Sequence, residues 1–598
     1  MIHSCHIEDR EYTRWRYDPE NSGLLNPIAY KLFNQDEIFV LKGSTVKKIV
    51  NSPVRAIRDI PGILLLENNR SFGRTPNKKR LYYKCKPYDT KLPHFLIPYD
   101  IPIGFNKNFK NKYVTFSFDK WEDKHPLGIL SQTLGDVFDF PSYCEYALYC
   151  KELHSSIIAS IKKTKLRMGQ KTIEEYKNTI LDHPDTYGEF LRRHNEYIFT
   201  IDPTGCMDRD DAISISYASC TSGCREYKVS VYIANVWVWL ELFDLWENTG
   251  NRVSTIYLPN NMKRPMLPTS ISETLCSLDA DGTDRFGFVM DFVVFENPVK
   301  KDIRIIGSPT LNQCSIKVSE NFDYEEKKLL KNKDYRLLLS LTQKLDGDSV
   351  KDSHETVAYW MTQMNLYCAK LMKENKIGIF RTVQSRQANV KSADNEIPSG
   401  MPHFVRILEQ QLCGTYKLFQ EENGSNYAHD TLGFSEYIHF TSPIRRMVDL
   451  LNQIKWVIEI ISPPLLSSAV RHFYDTQVEK MDVLNAKMKK IRKIQSDCEI
   501  LYKATFFLEN FTETVYEGIV VGEYDSSSGN KCTVYIEDLK WMTDINIHSI
   551  DTSSIKKFDR VKCKLYVFEN EEQMKRKIRA QLLHLFTFQT PILTTLKK

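Results

Sequence analysis

The stretch FTIDPTGCMDRDDAISIS, Phe199–Ser216, sets Asp202, Asp208, Asp210 and Asp211 within ten positions between two apolar segments. Like charges this close repel unless something cationic holds them. FTI before the cluster and AISIS after it read as strands, and Pro203 and Gly205 let the backbone between them turn sharply. A loop of this kind gathers carboxylates, and hard oxygen ligands so grouped favour Mg²⁺ or Mn²⁺ over zinc. Calcium fits less well, because the loop lacks the glycine and the downstream bidentate glutamate of an EF-hand. The same composition also suits a set of Asp-rich turns.

A second constellation lies far downstream in YIHFTSPIRRMVDLLNQIKWV, Tyr437–Val457. Ser442 as N-cap and Pro443 as first helical residue would put Arg445 and Arg446 in the first turn of a helix. Cations there oppose the helix dipole, whereas free N–H groups beside two guanidiniums suit a phosphate. The competing reading is an ion pair from Arg445 to Asp449, which on a helix surface is worth about 0.2–0.5 kcal/mol. The electrostatic penalty of first-turn arginines favours the phosphate. Carboxylate-held metal facing such arginines is what phosphodiester hydrolysis needs. Two ions about 4 Å apart activate water and stabilise the leaving 3′-oxygen, while an arginine neutralises charge developing on the phosphate.

Around these two segments the chain reads as several domains. Its 598 residues exceed one ordinary core. A hydrophobic share of 42% with 26% charged residues excludes a collagenous or broadly disordered chain. A balance of 81 basic against 76 acidic residues means that any nucleic-acid surface comes from local segregation of charge. Fourteen cysteines without a CxxC pair, behind an N-terminus lacking an apolar leader, point to a reducing, cytoplasmic compartment. His3, Cys5 and His6, and separately Cys220 and Cys224, form only partial zinc patterns. No window is apolar enough to span a membrane.

The N-terminal third consists of short β segments broken by Pro, Gly and Asn, as in GILLLENNRSFGRTPNKKRLYYKCKP, Gly62–Pro87. There Arg70, Arg74, Lys78, Lys79, Arg80, Lys84 and Lys86 alternate with Phe72, Tyr82 and Tyr83, a mixture suited to single-stranded nucleic acid and equally to a lysine-protected β edge. The middle passes from strands such as YKVSVYIANV to helices, with Val357, Trp360, Met361, Met364, Cys368 and Leu371 on one helical face. The end reverts to short strands, VYEGIVVGEYD, KCTVYIEDL and DRVKCKLYVFE, as in a small OB barrel. The expected organisation is multidomain α+β: residues 1–110 with a first cold-shock-like barrel, 111–190 a second, 191–511 a mixed α/β catalytic domain, and 512–598 a C-terminal OB barrel.

Three segments, TIDPTGCMDRDDAISIS, TIYLPNNMKRPMLPTSISETLCSLDADGTDRFGF and EYIHFTSPIRRMVDLL, resemble in this order the signature segments of the ribonuclease II (RNB) exoribonucleases. The wording DPTGCMDRDDA is most similar to the catalytic subunit of the eukaryotic RNA exosome, without its endonuclease domain. The resemblance implies Mg²⁺, or Mn²⁺, bound through Asp202, Asp208, Asp210 and Asp211, with Asp210 essential for cleavage. It implies that Tyr257 stacks on the 3′-terminal nucleotide, that Arg445 contacts the phosphate, and that Arg446 shares the RNA-binding surface. The implied activity is processive 3′-to-5′ hydrolysis of single-stranded RNA to nucleoside 5′-monophosphates by two metals. The implied state is a monomer or a subunit of an RNA-processing complex. Three departures keep a catalytically inactive RNA-binding protein as the alternative: Asn235 stands where the family has an aspartate, Gln453 and Ile454 replace an HR pair, and only 33 positions separate Tyr324 from Val357. That last segment is shorter than the family's, so the second aromatic clamp is either missing or supplied from elsewhere.

Overall fold

The computed structural model describes residues 2–586 other than 21–23, 42–44, 68, 78, 102–108, 222, 347–349, 384–413, 422–425, 507–512, 522–530, 547–557 and 571–573. Lys78 lies outside the described residues. The chain divides into two compact units, residues 1–154 with 493–598, and residues 155–492.

The first unit opens with β1 (Ile2–Ile7), β2 (Trp15–Asp18), β3 (Glu37–Leu41) and β4 (Thr45–Asn51), which pair in the order β2-β1-β3-β4. Next come β5 (Ile60–Leu64), β6 (Ser71–Arg74), β7 (Leu81–Pro87), β8 (Phe95–Tyr99), β9 (Lys112–Lys120) and β10 (Leu127–Asp136). The pairings β5–β7, β7–β8, β8–β10, β10–β9 and β9–β5 close a ring of five strands, with β8 and β10 parallel and the rest antiparallel. Phe95, Ile97, Val114 and Phe116 fill it. The expected boundary at residue 110 therefore falls inside one barrel. Among the described residues the N-terminal third holds a four-stranded sheet and a closed barrel, and most of residues 140–187 are helical. Of the aromatics expected along a nucleic-acid groove, Tyr83 is buried in the core. Phe72 is half-buried, with the Arg70 guanidinium 5.5 Å and the Lys84 ammonium 5.9 Å from its ring.

The second unit is built on a mixed sheet of β11 (Leu191–Arg193), β12 (Phe199–Asp202), β13 (Asp211–Thr221), β14 (Cys224–Ala234), then β17 (Arg285–Asn297), β18 (Asp302–Ile306), β19 (Leu311–Ile316) and β20 (Glu320–Asp323). The order is β11-β19-β17-β14-β13-β12-β20, with β18 on β17. Between β14 and β17 the hairpin β15 (Ile256–Leu258) and β16 (Met262–Arg264) stands apart. β14 lies between β13 and β17, and both its faces are buried from Val229 to Ala234, which makes it a continuous core strand. A second small pair, β21 (Ile379–Thr382) and β22 (Thr415–Leu418), follows. Between β20 and β21 the helix Ser353–Glu374 starts on Asp352, whose side chain accepts from Glu355 N. It buries Val357, Trp360, Met364 and Cys368 and half-buries Met361 and Leu371. The helix Met447–Trp456 is buried almost throughout.

Returning to the first unit, β23 (Val515–Val520), β24 (Lys531–Ile536), β25 (Trp541–Asn546), β26 (Arg560–Asn570) and β27 (Lys575–Phe586) form a closed barrel β23-β24-β25-β27-β26. Its one parallel pair, β25 with β27, matches β8 with β10 of the N-terminal ring. Both barrels thus share the OB connectivity. The described cysteines are free, and His3, in one of the partial zinc patterns, hydrogen-bonds through Nδ1 to the Pro19 carbonyl. Among the described residues no helix is long and apolar enough to cross a membrane.

Candidate active site

The aspartate loop joins two neighbouring strands: β12 ends on Asp202 and β13 begins on Asp211. Gly205 takes φ +78° in open space, where a side chain would strain the backbone. Cys206 N bonds to Pro203 O, and Ala234 N at the end of β14 bonds to Asp210 O at 2.8 Å. The loop is pinned again at Arg209, whose N–H donates to Ser277 Oγ and whose guanidinium donates to Asp279 at 2.6 Å.

The four carboxylates have different surroundings. Asp208 accepts from Tyr257 Oη at 3.0 Å and from Lys263 Nζ at 2.8 Å, one donor on each oxygen. Asp210 accepts from Ile444 N at 2.8 Å and Arg445 Nε at 3.0 Å, again one on each oxygen. Asp202 Oδ2 is buried without a hydrogen-bond partner, and the nearest cationic atom, Arg209 Nε, is 3.5 Å away and also unsatisfied. Asp211 is half-buried beside them. Burial pushes the Asp202 carboxyl up to about 6 and Asp210 up to about 7, the latter against the pull of Arg445. Burial, with the charge of Asp202 added, raises Asp211 well above the ordinary range. The segments carrying Asp202, Asp208, Asp210 and Asp211 are brought together, yet among the described residues no three His, Cys, Asp or Glu side chains converge as a metal-ligand group. Asp208 and Asp210 are instead engaged by protein donors. The Asp202 oxygen without a hydrogen bond and the all-oxygen donor set suit a hard cation.

Tyr257 and Lys263 are cross-strand partners in the β15–β16 hairpin. The tyrosine is 39% exposed, and the lysine ammonium sits 5.9 Å from its ring and bonds Glu273 at 3.0 Å. Lys263 escapes sequence reasoning because a lysine in a short hairpin reads as a solvated charge. Tyr324 escapes it too, standing out only as the start of a short segment. Its N–H bonds to Asp202 O at 3.0 Å, its ring stacks on His354 at 3.7 Å, and burial together with the charges of Asp211 and Asp202 raises its hydroxyl.

The TSPIRR segment departs from the expected helix start. The helix begins at Met447, and Ser442–Arg446 form a turn before it. Ser442 does not cap it: its Oγ accepts from Arg445 Nη2 at 3.2 Å, and its N–H donates to Asp449 Oδ1 at 2.8 Å. Thr255 N bonds to Arg445 O, and Ser254 pairs with Arg446 as a β-bridge, so tertiary contacts hold the turn extended. Arg445 faces Asp210 with a side chain 47% exposed. Arg446 bonds fully buried Asp449 at 2.8 Å, an (i, i+3) pair where Arg445 with Asp449 was the expected alternative. The structure spends the Arg446 guanidinium on an internal ion pair, away from the phosphate role expected for it. The two amide departures are structural as well: Asn235 donates to Gln313 Oε1 at 2.9 Å, and Gln453 donates to Ala234 O at 2.9 Å, behind the residue that holds the Asp210 backbone.

Residues 192–337 and 325–458 match the RNB domain. The chain is 27% identical over 262 residues to DIS3-like exonuclease 2 of Schizosaccharomyces pombe, covering 40% of this chain and 25% of that protein. It is 26% identical over 312 residues to ribonuclease R of Helicobacter pylori, covering 42% and 46%. The chain thus spans between a quarter and about half the length of these two relatives. Among solved structures, the apo form of Mycoplasma genitalium RNase R superposes with a TM-score of 0.64 at 16% identity over 98% of this chain and 100% of that one. Yeast Ssd1, described as a pseudonuclease, gives 0.56 at 14% over 91% and 78%. At those identities the two structures speak for the fold. The residues that match the RNB domain take in the aspartate loop, the Tyr257 hairpin and the Arg445 turn.

Proposed function

We propose that the chain is a Mg²⁺-dependent 3′-to-5′ exoribonuclease that hydrolyses single-stranded RNA to nucleoside 5′-monophosphates. The observation that carries this reading is the meeting of an exposed arginine, Arg445, with the Asp210 end of a loop whose Asp202 keeps a buried oxygen without a hydrogen bond, 3.5 Å from Arg209 Nε. Asp202 and Asp211 would hold the cation, which when bound supplies Lewis-acid activation of water and neutralises the leaving 3′-oxygen.

The chain's own residues do the rest. Arg445 is oriented by Asp210 through Nε and by Ser442 Oγ at 3.2 Å, leaving its exposed edge for the scissile phosphate. Tyr257, fixed by its hydroxyl on Asp208, presents its ring to the terminal base. Ile444 N and Arg445 hold both oxygens of Asp210, so the loop keeps its shape before substrate arrives. The Arg70, Phe72 and Lys84 group of the N-terminal barrel offers a ring between cations for the incoming single strand.

The test is 5′-labelled single-stranded RNA incubated with Mg²⁺. A ladder ending in a short core, lost in Asp210→Asn and in EDTA, with a matched DNA oligomer left intact, is the expected result. Tight RNA binding without product would establish the inactive RNA-binding alternative instead.

A further inference from the structure

Lys263 reaches the aspartate loop from a hairpin that neither acidic nor arginine motif contains. Opposite each other on β15 and β16, Tyr257 and Lys263 close on the same carboxylate, with the hydroxyl on one oxygen of Asp208 and the ammonium on the other. Asp208 is 7% exposed, so the ammonium counts as a full charge in a partly dry place. Glu273 takes a second N–H of Lys263 at 3.0 Å, and the Tyr257 ring lies 5.9 Å from it. Carboxylate acceptors on both sides, Asp208 and Glu273, therefore hold the ammonium in place.

A pair of ions about 4 Å apart needs carboxylates shared between them. Asp208 is held by Lys263, and Asp210 is held by Arg445 and Ile444 N. A second dication at Asp208 would have to expel the ammonium or sit against it, and like charges at such range repel strongly. Asp202 Oδ2 is buried without a hydrogen bond, and its one ion pair is long, 3.5 Å to Arg209 Nε, whose guanidinium is bonded to Asp279 at 2.6 Å, so this oxygen is the one most open to a metal ion.

We propose that Lys263 is a resident cation of the site: it neutralises Asp208, withdraws that carboxylate from metal ligation, and limits the aspartate loop to a single divalent ion held by Asp202 and Asp211. The sequence pattern alone suggested two ions. This inference rests on the metal-dependent reading above. Lys263 is a positioning residue, acting through Asp208 and Tyr257.

The experiment is a Mn²⁺ titration of the full chain, without RNA, followed by the electron paramagnetic resonance signal of free Mn²⁺. Wild type is expected to bind one tight ion, as is Lys263→Arg, which keeps the charge. Lys263→Met keeps the stem, removes the charge, and is expected to bind a second ion with an affinity within about tenfold of the first. Two tight ions in wild type, or one in a folded Lys263→Met, would overturn the proposal. Should Lys263→Met not fold, Asp202→Asn against Asp208→Asn decides: loss of the ion only in the former supports the proposal, and loss in Asp208→Asn overturns it. RNA cleavage is scored separately. A chain that binds one Mn²⁺ and never cleaves sinks the nuclease reading alone, and one that cleaves with two sinks only this inference.

Discussion

Asp210 and Arg445 are joined by an ion pair of 3.0 Å across 235 positions of sequence. The aspartate of one motif thereby aims the guanidinium of the other. Arg446, one residue on, turns away to a partner with no exposure at all, Asp449.

The two arginines should separate in mutagenesis. Arg446→Ala leaves the Asp449 carboxylate buried and uncompensated, a change that typically costs about 3–5 kcal/mol. Arg445→Ala also leaves a buried aspartate, Asp210, but burial already raises that carboxyl to about 7, so it can take up a proton in place of the guanidinium, and the cost should be smaller, about 1–3 kcal/mol. Thermal melts of both variants beside RNA cleavage check this: Arg446→Ala should show the larger fall in melting point, and Arg445→Ala the smaller fall with cleavage lost.

Burial of Asp210 predicts a pH dependence whose sign is the reverse of ordinary acid denaturation. Its carboxyl moves from 3.8 up to about 7 on folding, so between those values the folded chain holds a proton that the unfolded chain has released. The stabilisation is complete below pH 4 and is lost as pH rises through about 7. Asp210→Asn mimics the neutral form at every pH, while Asp202 and Asp211 titrate in both proteins. In EDTA, wild type should therefore lose ground to Asp210→Asn by up to about 1.4 kcal/mol per pH unit across that window. Denaturant unfolding of both from pH 5 to pH 8 measures the difference; a constant gap would contradict it.

What could be read in the sequence was local. The aspartate loop is strand, turn, strand because Phe199–Asp202 and Asp211–Thr221 are neighbours in the sheet, and four residues of alternation reveal that. The start of the TSPIRR helix was misplaced because the Ser442 Oγ is taken by the Arg445 guanidinium, and because Thr255 and Ser254, distant in sequence, bond Arg445 O and pair with Arg446. The barrel boundary failed for a similar reason: ring closure runs through β5 with β9 and β8 with β10, pairings that no alternation within a single strand encodes. Lys263 was invisible because its two carboxylates come from a loop 55 positions before it and a segment ten positions after it.

Tyr257 should matter through its ring and its hydroxyl separately. Truncation to Ala removes a stacking platform worth about 1–3 kcal/mol per base. Binding of the RNA 3′ end should weaken accordingly, while a saturating substrate is still cleaved. Tyr257→Phe keeps the ring and removes only the donor to Asp208, so it should bind the 3′ end nearly as wild type does. Fluorescence titration with an RNA ending in a normal nucleotide and with one ending in an abasic residue checks the assignment: the abasic end should penalise wild type and Tyr257→Phe but not Tyr257→Ala.

The segment between Tyr324 and Val357 bears on the length of the last fragment. Its described residues are helical, Lys327–Lys331, Lys333–Leu345 and the start of Ser353–Glu374, with no strand among them. The aromatic nearest the aspartates there, Tyr324, has one face committed to His354, so it cannot close on a base from both sides as a free ring could. With stacking worth about 1–3 kcal/mol per base, losing one platform raises the number of nucleotides a substrate must offer before it stays bound long enough to react. Digestion should therefore stop at a fragment longer than a tetranucleotide. Denaturing gels of exhaustive digests, with Asp210→Asn as the uncut control, read that length directly, and a limit of two to four nucleotides would mean that another surface of the chain supplies the missing clamp.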